Sequence, residues 1–191
     1  MVYARGLPTV IGESFSETLE AARTGSEWAW TRLYRDLAPS VLGYLRGRGA
    51  PDPEDVLGEV FLQVVRDLGS FHGGEREFRA WVFVIAHNRL VDEHRRRARR
   101  PVDPTPDVPR EGISGDTAES ALQGVATERV RRIMQQLSPD QRTVLLLRVL
   151  GQLTVEEVAR VVGKSPGAVK ALQRRGLRAA KRALANEGVP L

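Results

Sequence analysis

The stretch from Thr154 to Lys170, which reads TVEEVARVVGKSPGAVK, decides the fold of this 191-residue chain. Thr154 and Glu157 match a capping box, in which each side chain accepts a hydrogen bond from the other residue's backbone N–H. This pattern predicts a helix start. The apolar residues that follow keep helical spacing over about two turns; they are Val155, Val158, Ala159 and Val162. Gly163 suits a left-handed turn at the end of that helix, and a serine–proline pair at Ser165 begins another. A short helix, a glycine turn and a second helix together predict a helix-turn-helix.

The second helix of this motif divides into two faces. The apolar face holds Val169, Leu172, Gly176 and Ala180, and the other face holds Gly167, Lys170, Ala171, Arg174 and Arg178. Small residues let a helix approach base edges closely, and cations one turn apart reach guanine acceptors or phosphates. A solvated basic face on an ordinary bundle helix is the alternative. The capped helix and the glycine turn in front of it favour DNA binding.

The rest of the chain also has helical patterns. Four helices are expected in the first half, over Ser16 to about Arg23, Ser26 to about Arg48, Asp52 to Leu68, and about Arg76 to Arg99. In the second half, one helix is expected from about residue 118 to Leu137, and a capping pattern that begins at Ser138 starts the next. No strand pattern appears, so the predicted fold class is all-α.

Charge divides the chain into three parts. Residues 1–100 carry 15 basic and 14 acidic side chains, residues 101–118 carry 1 and 4, and residues 119–191 carry 13 and 6. Prolines at positions 101, 104, 106 and 109 rule out a continuous helix after residue 100. We therefore expect two small helical domains, 14–100 and 119–187, joined by a flexible, acidic, proline-rich linker over 101–118. The basic second domain is the candidate for nucleic acid, and the neutral first domain suits a protein partner.

Several classes of protein are excluded by composition. The chain has no cysteine, which rules out disulfides and thiolate metal sites, and its three histidines do not cluster with carboxylates. We expect no metal and no cofactor. No signal peptide is visible, and no apolar run approaches the roughly 20 residues of a membrane helix. A soluble, cytoplasmic protein without membrane insertion is expected.

An enzyme is not expected either. The one acidic cluster, Asp52, Glu54, Asp55 and Glu59, lies at a helix start, where capping and the helix dipole explain the first three carboxylates. Metal-assisted hydrolysis needs carboxylates clustered with a lysine or a histidine pair, and no such group is present in the sequence.

Two sets of segments resemble a known family. Residues 53–63 (PEDVLGEVFLQ) and 78–92 (FRAWVFVIAHNRLVD) resemble the second conserved region of bacterial RNA polymerase sigma factors. Residues 137–148, 153–160 and 165–175 resemble their fourth region. The chain lacks the middle conserved region of these factors and is short, and in both respects it resembles the extracytoplasmic-function (ECF) group. The resemblance extends over about residues 14–187.

The resemblance implies roles for individual residues. On the helix that begins at Asp52, the residues expected to dock on core RNA polymerase are Asp55, Glu59 and Gln63, with Glu59 expected to have no structural task of its own. The loop 70–77 and the helix behind it are expected to open the −10 promoter element, through Trp81, His87, Asn88, Arg89, Arg95 and Arg96. The −35 element is expected to contact Ser165, Gly167, Lys170, Ala171, Arg174, Arg175 and Arg178. The alternative for the residues expected to dock on polymerase is a solvated acidic face. The alternative for Trp81 is a position in the hydrophobic core.

The implied function is that of a promoter-specificity factor. It binds core RNA polymerase, recognises the −10 and −35 elements and helps to melt promoter DNA, and an anti-sigma protein is its expected regulator. The alternative is a stand-alone helix-turn-helix regulator. Such a protein usually dimerises on a palindromic site, and no heptad seam or dimerisation helix appears in this sequence.

Overall fold

The computed structural model describes residues 14–99 and 130–186, and these parts are helical. The helices are α1 (Phe15–Arg23), α2 (Glu27–Gly47), α3 (Pro53–Asp67), α4 (Glu75–Arg99), α5 (130–135), α6 (Pro139–Val149), α7 (Val155–Val162) and α8 (Pro166–Asn186). A 3-10 turn, Leu68–Ser70, follows α3. Neither described range contains a strand, so the all-α prediction is confirmed. The predicted linker over 101–118 and the first part of the second domain lie outside the described residues.

The first half is built around α2, α3 and α4, and α1 packs on α2. Apolar residues at helical spacing on these helices meet in a common interior; among its fully buried side chains are Leu33, Val41, Tyr44, Leu45, Val60, Val64, Phe78, Phe83 and Leu90. Burying a side chain of this size contributes about 1.5–3 kcal/mol. This interior fixes α3 and α4 against each other, with one side of each helix left outside it.

Two helix starts in the first half differ slightly from the sequence prediction. α1 begins at Phe15, with Ser14 in the cap position, rather than after Ser16. The reason is that Phe15 is itself a core residue, with its ring 5.6 Å from that of Phe78. α4 begins at Glu75, one residue before the expected start.

The second half forms the predicted helix-turn-helix, and its local signals are confirmed. The Thr154–Glu157 capping box is complete, because Thr154 N–H donates to Glu157 at 2.6 Å and Glu157 N–H donates to Thr154 at 3.2 Å. Gly163 ends α7 with φ 64°, in the left-handed region. Ser165 accepts a hydrogen bond from Ala168 N–H at 3.2 Å and so caps α8.

The buried face of α7 differs from the predicted apolar stripe. Val161 and Glu157 are buried together with Val158 and Ala159, whereas Val162 is only half-buried. The reason is that α7 packs against both α8 and α4. A helix with two neighbours buries a wider arc than a single stripe.

The two halves are in contact, which the sequence did not predict. α7 packs against α4, and α6 packs against α2. Side chains from both halves, among them Val82 and Val158, belong to one continuous cluster of buried residues. We call this contact of α2 and α4 with α6 and α7 the closed arrangement.

Candidate promoter and polymerase interfaces

The recognition helix α8 has one buried side and one exposed side. Val169 and Leu172 are buried against the rest of the second half, and Gly176 lies so close to α6 that an added Cβ would be 3.1 Å from Leu145 Cδ1. Six of the seven predicted −35 residues lie in solvent: Ser165, Gly167, Lys170, Arg174, Arg175 and Arg178. Ala171 is half-buried at the edge of this side. The structure therefore brings the predicted −35 residues together on one accessible surface.

An apolar side chain lies among these cations. Leu177 is 54% exposed and shares a shallow groove with Lys170, Gln173, Arg174 and Arg178. None of these three cations forms an ion pair with a carboxylate elsewhere in the described ranges. The sequence analysis did not select Leu177. Its spacing of seven residues from Lys170 was the signal that places it on the exposed side.

The helix α4 carries three separate stripes, and the predicted −10 residues are divided among them. Trp81, Asn88 and Arg95 are seven residues apart, so they lie on one side of the helix. Arg89 and Arg96 face α3. His87 faces the second half.

On the side of α4 that faces α3, two of the predicted −10 residues contact predicted polymerase-binding residues. The Glu59 carboxylate lies 3.5 Å from Arg96 Nη2 and 3.9 Å from Arg89 Nη1. Arg89 also donates a hydrogen bond to Gln63, whose amide donates to Asp67 at 2.9 Å. The expectation that Glu59 has no structural task is wrong, because it connects α3 to α4.

The outward side of α3 is partly apolar, which the sequence analysis missed. Leu62 is 66% exposed and Val65 is 52% exposed. Asp55 and Gly58 are also exposed and lie on the same side, because they precede Leu62 by seven and four residues along the helix. Large apolar side chains held in solvent beside a charged rim are typical of a protein interaction site.

The stripe that holds Trp81 and Asn88 adjoins a tightly built loop. Trp81 is half-buried and lies on Phe71, with ring centroids 5.1 Å apart and planes 30° from parallel. Gly73 has φ 150°, and a Cβ there would be 2.8 Å from that of Glu77, so the loop requires glycine. Phe71 is buried, whereas His72, Gly73 and Asn88 are exposed.

His87 occupies a different environment. Its Nδ1 lies 2.8 Å from the Tyr44 hydroxyl, and burial raises the pKa of Tyr44 to about 12, so the hydroxyl stays protonated. Burial, and then the charge of Arg48, lowers the pKa of His87 below its ordinary value. His87 lines a cavity of about 230 Å³ between the halves, together with Arg48, Asp140 and Lys164.

Comparison with known proteins shows the family of this chain. The Sigma-70 region 2 family matches residues 32–100, and the Sigma-70 region 4 family matches residues 127–179. The ECF RNA polymerase sigma factor ShbA of Streptomyces griseus is 32% identical over 182 residues, which cover 88% of this chain and 92% of ShbA. The chain belongs to the ECF RNA polymerase sigma factors. The prediction of a promoter-specificity factor, with core RNA polymerase and promoter DNA as partners, is thereby confirmed, and the stand-alone regulator is not favoured.

Two further comparisons extend this result. The ECF RNA polymerase sigma factor BldN of Streptomyces coelicolor is 33% identical over 175 residues, 90% of this chain; the chain spans 66% of the length of BldN. A solved structure of the sigma factor RpoE in complex with the anti-sigma factor NepR, from Bartonella quintana, has a TM-score of 0.61 and 17% identity. It covers 81% of this chain and 96% of RpoE, and it shows the shared fold.

Two absences concern the described ranges alone. No helix within 14–99 or 130–186 is long and apolar enough to cross a membrane. In the same ranges, no three histidine or acidic side chains come together as a metal site would require.

Proposed function

We propose that this sigma factor recognises the −35 element through the exposed side of α8. The observation that carries the proposal is that the buried side of α8 fixes the helix on α6, while Lys170, Arg174 and Arg178 project into solvent one turn apart. The small residues Gly167 and Ala171 allow close approach to the bases at the helix start. Lys170 and Arg174 then contact bases or their flanking phosphates, whereas residues further along α8 contact phosphates.

For the −10 element, we assign the role to the loop 71–74 and the outer stripe of α4. Asn88 has an exposed amide, which can pair with a base edge. Trp81 supports the loop through Phe71 and keeps part of its ring accessible for an unstacked base. Arg95, which is exposed beside Asp92 at 3.6 Å, contacts phosphates.

Polymerase docking is assigned to the outward side of α3. Leu62 and Val65 supply the apolar centre, and Asp55 supplies charge at its edge. Glu59 and Gln63 position this helix through Arg89 and Arg96, and the 41% exposure of the Glu59 side chain leaves it accessible to the partner as well. A surface with an apolar centre and a polar rim matches the anatomy of stable protein interfaces.

The remaining expectations belong to this proposal. The solved relative with an anti-sigma factor supports an anti-sigma protein as the regulator of this chain. Because its polymerase partner works in the cytoplasm, we infer that location for this chain, and we assign it no bond chemistry of its own. The boundaries 14–100 and 119–187 remain the proposed domains.

Run-off transcription with purified core polymerase on a pool of genomic promoters tests the function. The full chain is expected to direct start-site-specific transcripts that core polymerase alone does not make. Pull-down of core polymerase by the chain separates this function from that of a stand-alone regulator. Sequence-specific DNA binding without polymerase binding would overturn the proposal.

A further inference from the structure

A groove lies where the end of α2, the second half of α4 and the start of α6 meet. Its larger part is a cavity of about 490 Å³, and its smaller part is the cavity of about 230 Å³ that holds His87. Arg48 and Val91 line both parts, so the two cavities adjoin. The larger part alone has the volume of a small-molecule site. We call the two parts together the basic groove, because of the residues that line it.

The charge of the basic groove is positive. None of the described residues that line its larger part carries a carboxylate, and the polar ones are Arg48, His94, Arg95 and Arg142. Arg95 is paired with Asp92 at 3.6 Å, so part of its charge is neutralised. In the smaller part, Asp140 and Lys164 pair with each other at 3.0 Å. The uncompensated charge therefore belongs to Arg48, Arg142 and the protonated form of His94.

Arg48 is the central cation of the groove. It donates a hydrogen bond through Nη1 to the Pro139 carbonyl at 3.3 Å, which fixes its guanidinium at the start of α6. Its Nε is buried and has no hydrogen-bond acceptor within residues 14–99 or 130–186. No carboxylate in those ranges forms an ion pair with it. A half-buried guanidinium without a counter-ion favours the binding of an anion, because the anion restores the interactions lost with water.

The charge of Arg48 also acts on the other cations of the groove. Burial, and then the charge of Arg48, lowers the pKa of His94 and that of Arg142, as it does for His87. Like charges thus repel one another from three helices that face the same space. A bound anion removes this repulsion, and the gain is greatest for a ligand that carries more than one negative charge.

The chemistry of the lining selects phosphate among anions. Guanidinium groups bind phosphate oxygens through two parallel hydrogen bonds, and the ligand must satisfy two of them at once. Val91, Ala98 and Pro139 form an apolar wall of the larger part, beside which an uncharged part of a ligand can lie. A DNA duplex, whose major groove alone is about 12 Å wide, is too large for a cavity of this volume. The matching ligand is therefore a small molecule.

We propose that the basic groove binds a small ligand with two or more linked phosphates, held by Arg48, His94 and Arg142. Nucleoside triphosphates and inorganic polyphosphates share this chemistry. The site lies apart from the exposed side of α8 and from the outward side of α3. It therefore adds a binding activity to the promoter and polymerase contacts proposed above.

Isothermal titration calorimetry on the full chain, without polymerase or DNA, tests the site with tripolyphosphate, ATP and adenosine. Saturable binding of tripolyphosphate and ATP is expected, and adenosine is expected not to bind. Tighter binding of ATP than of tripolyphosphate supports a nucleotide as the ligand, and equal or weaker binding supports an inorganic polyphosphate. Because the mixture holds neither polymerase nor promoter, the result is independent of the promoter function.

Three substitutions locate the binding site. Arg48→Gln is expected to weaken the binding of both phosphates about tenfold or more, and His94→Gln about threefold. Arg66→Gln removes the same charge as Arg48→Gln from an exposed position on α3, away from the groove, and is expected to leave both affinities unchanged.

Arg48→Gln also loses the bond to the Pro139 carbonyl, so its thermal unfolding curve and helical signal are compared with those of wild type. His94 is exposed, and His94→Gln decides the question if Arg48→Gln does not fold. The site is overturned if neither phosphate binds saturably, or if the folded groove variants bind both phosphates as tightly as Arg66→Gln does. An equal loss of affinity of Arg48→Gln for ATP and for a duplex without promoter sequence also overturns it, because the groove then binds DNA.

Discussion

The two helices to which we assign the promoter contacts, α8 and α4, differ in the number of neighbours that they have. α8 packs mainly on α6 and α7, so its other side is a single exposed surface. α4 meets α2, α3 and α7, and each of its stripes has a different partner. A helix with one buried side shows its binding residues in its sequence pattern. In a helix with several neighbours the sequence pattern does not identify the binding residues, because different polar residues of the same run contact different neighbouring helices.

Arg174→Ala tests the single-surface description of α8 and has the largest expected effect. It should weaken binding to the preferred −35 sequence by about 1–3 kcal/mol and relax the choice of base there. Arg182→Ala, further along the helix, is the control; it should weaken all sequences equally or not at all. Selection from a randomised duplex library at two salt concentrations measures both. A changed selected sequence with Arg182→Ala but not with Arg174→Ala would show that the register of α8 is wrong.

Leu62→Glu sharpens the description of α3, the neighbour of α4. A charge at the centre of the proposed apolar surface should weaken core polymerase binding by about 2 kcal/mol, as for a hot-spot residue. The fold should be unaffected, because the side chain is already in solvent. Arg66→Glu, also exposed on α3, is the comparison for charge alone. Equal affinities of Leu62→Glu and wild type for core polymerase would exclude this surface.

Thr154→Ala tests how far the second half is fixed by local signals. Loss of the cap should lower the free energy of unfolding by about 1 kcal/mol, and Thr154→Ser should restore it because the hydroxyl is retained. Chemical unfolding of the full chain, followed by helical signal, measures the difference. No difference between the alanine and serine variants would mean that tertiary packing, rather than the cap, holds the start of α7.

Acidification tests the inner stripe of α4 and has the smallest expected effect. The pKa of His87 is lowered by burial and by Arg48, and in an open chain it returns towards about 6.5. The open state then binds more protons, so the closed state is fully stable above that pH and is weakened as pH falls below it. The facing groups are Tyr44 and Arg48 from α2, and Asp140 and Lys164, which pair with each other at 3.0 Å.

Fluorophores attached at Ser16→Cys and Asn186→Cys, one in each half, measure this effect by energy transfer between pH 7.5 and pH 5.5. The population with low transfer efficiency should grow as pH falls. His87→Asn should reduce the change but not remove it, because burial and Arg48 also lower the pKa of His94. A population that is the same at all pH values would mean that opening does not rehydrate His87.

The sequence predicted what depends on neighbouring residues in the chain. The caps at Ser138 and Thr154, the turn at Gly163 and the exposed cations of α8 all follow from signals within a few positions. Arg89 and His87 could not be placed, because their surroundings come from helices up to about eighty residues away in the chain. The two halves approach each other closely because Gly43 and Gly47 have no side chains. The spacing of apolar residues in the sequence gives no sign of this contact.

The same limit applies to Glu59 and Leu62. On a helical projection both lie outside the core stripe of α3, and nothing in the projection shows that Arg89 and Arg96 reach Glu59 across from α4. Leu62 and Val65 then remain as the large apolar side chains in solvent on the outward side of α3. Because Glu59 is paired with α4, the exposed Leu62 is the better candidate on α3 for polymerase contact.

A double-mutant cycle in transcription tests the central claim that α8 of this sigma factor recognises the −35 element. Run-off transcription is measured for wild type and Arg174→Ala on a promoter identified from the genomic pool and on the same promoter with its −35 element replaced. The account predicts that Arg174→Ala lowers transcription about tenfold or more on the intact promoter and has no further effect on the replaced one. Equal losses on both templates would contradict it, because Arg174 would then act without regard to the −35 sequence.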